Sequence, residues 1–313
     1  MQAGIERERE TREQFVPYID DSPDGPIYLG PICIQMPTAL AHIFSDEGFV
    51  IAADGFDIVR TSDGPKVVSD HAKKIFQLPG INRDIACSLI GMVTLFSDAG
   101  DETIFDFISE CVRAARVVES APVRDASELA ARICPLILQR LAIVKQRGDL
   151  RRYPSPPSQL GELGHTLVRF YLDGYFNGQP FRTGIRFYHI DQEIAWGSIS
   201  HSLGRWSKSV LFGSDRVGYL LFDTEDPRLQ KYRTDACRLV AARYRNPDTA
   251  VTLQDAIEAA RNFIAACSDP VALEIEGEKY QRIGGHIHIA TITPTVGFRW
   301  APGFEPMDKA TQL

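Results

Sequence analysis

Residues 38–56 read TALAHIFSDEGFVIAADGF, and this stretch decides the architecture. Two short apolar runs, Ala39 to Phe44 and Phe49 to Ala53, flank Ser45-Asp46-Glu47-Gly48, a polar connection of hairpin length that ends in glycine. Short runs of this kind separated by a turn predict an antiparallel hairpin.

Working outward, AKKIFQL (72–78) and DIACSLIG (84–91) are two more strand candidates, reached through a polar loop around Asp63-Gly64-Pro65 and separated by Pro79-Gly80. From Met92 to Glu119 the apolar period lengthens toward 3.6, with Leu95, Phe96, Ile104, Phe105, Phe107 and Ile108 forming one stripe, so a helix is expected. A second helix is expected from Ala126 to Lys145 on Leu129, Ile133, Leu136, Ile137 and Leu141. After the polar loop RRYPSPPSQLGELG (151–164), strands return in TLVRFYLDGYFNGQP, RFYHID and EIAWGS, with Asp173-Gly174 and Asn177-Gly178 as hairpin turns. Helices are expected at Val217–Phe222 and Asp235–Arg245, and a third, to Ala266, opens on the capping-box variant Thr252-Leu253-Gln254-Asp255. HIHIATIT is the last strand, closed by Pro294. Strands, two helices, strands, helices and a strand do not alternate as βα units. They fit an α+β fold in which two antiparallel sheets stack face to face with helices outside.

Composition narrows the function. A formal net charge of −7, from 34 basic and 41 acidic residues, gives no electrostatic footprint for nucleic acid or an anionic membrane. The longest apolar stretches, such as Ile85 to Thr94, are far shorter than a membrane span, and the start MQAGIERERE is not a signal peptide. A soluble, cytoplasmic protein acting on small molecules, peptides or protein partners is expected. Six cysteines occur without C-x-x-C spacing, mostly in apolar runs, and read as reduced core residues. His286 and His288 share one strand face and could supply two metal ligands, but no third lies near in sequence. No G-x-G-x-x-G, P-loop or zinc spacing occurs, so no cofactor is expected.

The opening stretch, with HAKKIFQL (71–78) and IACSLIGMVTLFSD (85–98), resembles the start of bacterial-type proteasome β subunits of the N-terminal-nucleophile (Ntn) hydrolase superfamily. DGYFNGQP, RFYHID and AWGS resemble their paired central strands, VLFGSDRVGYLLFD (210–223) their glycine-serine turn and third helix, and GGHIHIATITPTVGF (284–298) their glycine pair and final central strand. The likeness runs in order over most of residues 36–300. It implies a four-layer αββα sandwich, the Ntn-hydrolase fold, over residues 36–313. Residues 1–35 are then an extension, either a propeptide or upstream of the true start at Met36.

The same resemblance implies chemistry. In that superfamily the first residue of the processed chain is the nucleophile and its own α-amine the general base. Thr38 is the implied nucleophile, and Asp54, sixteen residues on in AAD, is the implied acid. Lys74, beside Lys73, is the implied lysine, and the backbone N–H of Ser88 or Gly91 the oxyanion donor. Ser214 in FGSD joins the site by resemblance, although as a bare sequence feature it reads as a helix cap. The implied activity is a threonine-type peptidase or amidohydrolase on peptide or small amide substrates, in a homo-oligomeric ring or stacked dimer. The alternative is a catalytically inactive subunit serving assembly or partner binding. It draws on Pro37, where active members have glycine, and on Tyr280 and Ile283, where they have aspartate and serine. A cysteine variant starting at Cys33 lacks a matching strand hairpin.

Overall fold

In a computed structural model, residues 38–306 are described except for 62–63, 79, 81–82, 92, 97–102, 149–164, 191–192, 203–209, 225 and 278–282. The extension, with Cys33, Met36 and Pro37, lies outside the described residues, as does Tyr280.

The opening hairpin forms as expected from β1 (Leu40–Phe44) and β2 (Phe49–Ala53), paired antiparallel from Leu40↔Ala53 to Phe44↔Phe49. Ser45 closes the turn, its Oγ accepting from the N–H groups of Glu47 and Gly48. β12 (Val210–Phe212), β13 (His288–Thr293) and β14 (Gly297–Trp300) complete a five-stranded sheet in the order β12-β1-β2-β13-β14. The second sheet is built from β5 (Ile75–Leu78), β6 (Arg83–Gly91), β9 (His165–Phe176), β10 (Gln179–Ile190) and β11 (Glu193–Ser202), in the order β11-β10-β9-β6-β5. All pairings in both sheets are antiparallel.

Strand alternation then assigns three cores. Leu40, Phe49, Ile51, Ala53, Ala290 and Ile292 of the first sheet meet Ile75, Ala86, Ile90 and Tyr175 of the second, all buried. The opposite face of the first sheet, with Ala39, Ala41, Ile43, Val50 and Ala52, packs under α3 (Asp215–Phe222), α4 (Asp235–Arg245), α5 (Leu253–Ser268) and α6 (Val271–Glu276). The outer face of the second sheet packs Ile85, Cys87, Leu89, Phe170 and Leu172 under α1 (Phe107–Val117) and α2 (Ala126–Gln146). The result is the expected four-layer αββα sandwich. β1 and β2 are covered on both faces and read as nearly continuous apolar runs, whereas β10 and β11, toward the edge of the second sheet, mix polar and apolar residues.

Several local expectations change. The stretch from Met92 does not start a helix: Thr94–Phe96 (β7) and Thr103–Asp106 (β8) form a small ribbon first. Asp106 sets the helix start, its carboxylate accepting from the N–H groups of Ile108 and Ser109. The loop around Asp63-Gly64-Pro65 is flanked by a hairpin of β3 (Asp57–Thr61) and β4 (Gly64–Ser69). Asn177-Gly178 is a turn, with Asn177 at φ 49° and Gly178 at φ 76°, but Asp173-Gly174 is not. It runs straight through β9, where Gly174 lies so close to β6 that a Cβ would sit 2.0 Å from Asp84 O. That glycine serves close strand approach rather than a bend. The capping box at Thr252 and Asp255 forms as read, and α5 continues to Ser268. The five described cysteines are buried and form no disulfide with one another. No helix among the described residues is long and apolar enough to cross a membrane.

Candidate active site

The amino-terminal end of β1 brings together three of the residues singled out from sequence. Thr38, Asp54 and Lys74 are 3%, 0% and 1% exposed in the uncleaved chain, so this is a buried polar cluster inside an apolar sandwich. Asp54 directly follows β2. Its Oδ1 accepts from Lys74 Nζ at 2.8 Å and from the Ala39 N–H at 2.9 Å, and its Oδ2 from the Phe56 N–H at 3.3 Å. The Asp54 N–H in turn donates to Ala39 O, which fixes the two strand ends in register. Lys74 Nζ also lies 3.4 Å from Thr38 Oγ1, at the outer limit of a hydrogen bond. Lys74 precedes β5, so the lysine comes from the second sheet and the threonine and aspartate from the first.

A buried lysine needs a paired carboxylate, and the carboxylate needs donors. Asp54 meets both requirements. Burial pushes its carboxyl above the ordinary value, against the opposing pull of Lys74 and of the Ala39 and Gly284 N–H groups. The Lys74 ammonium at the hydroxyl favours negative charge developing on Thr38 Oγ1. It cannot remove the Thr38 proton while it is itself protonated, so a base must come from elsewhere.

Ser88 and Gly91 separate in the structure. Ser88 sits inside β6, opposite Ile75 on one side and Tyr171 on the other, and its hydroxyl contacts His42. Leu89 N–H donates across to Lys74 O. By strand alternation the Gly91 N–H leaves β6 on that same side, beyond the last β5 residue available to pair with it. Of the two, Gly91 is the one whose amide faces the Lys74 end.

Ser214 caps α3, its Oγ accepting from Val217 N–H at 3.1 Å. It also donates a short hydrogen bond to Glu276 Oε1, which accepts from the Arg216 N–H at 2.9 Å. The β1–β12 register of Leu40↔Phe212, continued by two residues, sets Ser214 opposite Thr38. Gly213 permits that approach: at φ 118°, a Cβ there would lie 2.7 Å from Thr38 O and 2.8 Å from Ala39 Cα. Glu276 was not singled out from sequence, since a lone glutamate at a helix end carries no signal. Ile283 is buried in the helix-side core.

His288 lies one strand over, paired with Ala53. It is fully buried and neither ring nitrogen meets a hydrogen-bond partner. Its ring centroid is 4.9 Å from that of His286, which in turn is 5.4 Å from His71. Among the described residues no group of three or more His, Cys, Asp or Glu side chains is arranged to hold a metal ion.

No family model and no curated protein matches the chain. Among solved structures it is similar to Anbu (ancestral beta-subunit) from Yersinia bercovieri, at 13% identity over 85% of this chain and 88% of that one, with a TM-score of 0.44. It is also similar to an Anbu Gly-1 mutant from Hyphomicrobium sp. strain MC1, at 12% identity over 88% and 90%, with a TM-score of 0.45. These findings overturn the expected membership of the proteasome β-subunit family: no model of that family matches, and the similar structures are of a proteasome-like but distinct kind. Likeness this distant assigns no role to any residue.

Proposed function

We propose that the chain is a threonine-type amidohydrolase or peptidase that works once cleavage between Pro37 and Thr38 has freed the Thr38 amine. One observation carries this reading: a threonine at the start of a central strand has its hydroxyl 3.4 Å from a buried lysine, itself held at 2.8 Å by a buried aspartate. A free α-amine has an ordinary pKa of about 7.7–8.0 and can accept the hydroxyl proton at neutral pH. Thr38 Oγ then attacks the amide carbonyl, the oxyanion is met by the Gly91 N–H, and the amine returns its proton to the departing nitrogen. Water, deprotonated by the same amine, cleaves the ester and restores Thr38. Lys74 supplies positive charge at the oxygen throughout, and Asp54 fixes Lys74. The substrate class is a peptide or small amide. A cytoplasmic homo-oligomer goes with this reading.

A second reading, a non-catalytic subunit retained for assembly or partner binding, is favoured by Ile283. It is a buried apolar residue at the position where the sequence resemblance implies a serine. Mass spectrometry separates the two. The enzyme reading expects a mature chain beginning at Thr38, which forms an adduct with a threonine-directed acylating inhibitor that Thr38→Ala does not form. A mature chain beginning at Pro37 or earlier favours the scaffold.

A further inference from the structure

A second buried polar constellation links the sheets away from Thr38. His42 on β1 places Nε2 3.1 Å from Ser88 Oγ on β6, and Nδ1 2.7 Å from Asp173 Oδ2 on β9. Arg182 on β10 donates from Nε to Asp173 Oδ1 at 2.6 Å. His42, Ser88 and Asp173 are completely buried and Arg182 nearly so. The Asp173 contact is bent away from the line of the ring N–H, yet a carboxylate this close settles the proton on Nδ1 and leaves Nε2 to accept from Ser88. Burial holds the His42 imidazole below its ordinary value despite Asp173, so it is neutral. Burial raises Asp173, but Arg182 and His42 more than reverse this and leave it ionised.

Nucleophile, base and orienting acid stand in hydrogen-bonding sequence here, but Ser88 is buried in the middle of β6, where, unlike at Thr38, no cleavage of the chain frees a terminus. What the constellation does reach is the two strand ends of the candidate active site. His42 lies four residues along β1 from Thr38, on the same strand face, and Ser88 lies three residues before Gly91 on β6. We infer that the His42–Ser88 contact, held by Asp173 and Arg182, is a positioning device. It fixes the separation between the nucleophile on the first sheet and the oxyanion-stabilising amide on the second. This rests on the proposed function. With the Lys74–Asp54 pair at the strand ends, the His42–Ser88 contact gives the sheets a second directional link, and directional bonds resist sliding where apolar packing does not.

The test is acylation of Thr38 by a β-lactone in the chain processed to begin at Thr38. Thr38 Oγ bonds to the lactone carbonyl, the ring C–O bond breaks, and the released alkoxide takes up the proton, so the adduct carries the whole probe mass. Ser88→Ala is expected to slow the maximal acylation rate about 10- to 100-fold, the scale of an ångström-level misplacement. The probe concentration at half-maximal rate should hold nearly constant, and Ser88→Thr, which keeps the hydroxyl, should recover most of the rate. Ser88→Cys, close in size and a weak donor, gives the same reading if the alanine variant does not fold. An unchanged maximal rate in folded Ser88→Ala and Ser88→Cys overturns the inference alone. If wild type shows no Thr38 adduct, both the inference and the proposed function fail.

Discussion

Removing the His288 imidazole should uncouple part of the protein's stability from pH. The ring sits between the sheets with both nitrogens unpartnered, against a ring edge of His286 and 6.3 Å from Trp300. Burial first, and then His286, His71, Lys74 and Lys73, hold it down at about 4 from an ordinary 6.5. The folded state therefore refuses a proton that the unfolded chain accepts between those values. The stability this group contributes is complete above about pH 6.5 and is lost as pH falls toward about 4. At about 1.4 kcal/mol for each pH unit of that window, the loss is on the order of 3 kcal/mol. The assay is urea unfolding of wild type and His288→Leu at pH 7.5, 6.5, 5.5 and 4.5. Comparing the two chains cancels the titrations they share, His42 and Asp54 included. His288→Leu should gain on wild type as pH falls, by about 3 kcal/mol across the window. A difference that stays constant with pH would refute the reasoning.

Other outcomes follow from the same geometry. Asp54→Ala leaves the Lys74 ammonium buried without its partner and should cost about 3–5 kcal/mol in urea unfolding, more than a surface carboxylate could. Because burial raises Asp54, the acid limb of any amidase activity should fall at higher pH than for an exposed aspartate, as a pH–rate profile reads directly. Gly213→Ala forces a Cβ against Thr38 O at a left-handed backbone position. It should lower stability by about 1–3 kcal/mol and abolish acylation of Thr38, measured by unfolding and by intact mass.

The layered architecture was legible because the opening hairpin, buried on both faces, appears as two short apolar runs and because strands and helices come in blocks rather than as alternating βα units. The small ribbon before α1 was not, because Leu95, Phe96, Ile104 and Phe105 happen to fall at helical spacing, and the deciding signal is the single cap Asp106. Asp173-Gly174 carries turn chemistry yet lies mid-strand, since Asp173 is claimed by Arg182 and His42 and Gly174 by the neighbouring backbone. Thr38, Asp54 and Lys74 could be picked out through a family pattern that the comparisons do not sustain, and the structure nonetheless draws the three side chains together. Glu276 and the His42–Ser88–Asp173 constellation could not be read in advance. Their partners lie 46 to 131 positions apart, or 62 for Ser214 and Glu276, and only the folded register makes them neighbours.

The account turns on the nitrogen of Thr38, and sequencing the amino terminus of the purified mature protein by tandem mass spectrometry addresses it most directly. A terminal peptide that begins at Thr38 with an unblocked amine is the predicted result. A mature chain in which Thr38 is still joined to Pro37 contradicts the hydrolase mechanism and leaves the buried threonine, lysine and aspartate as a structural cluster.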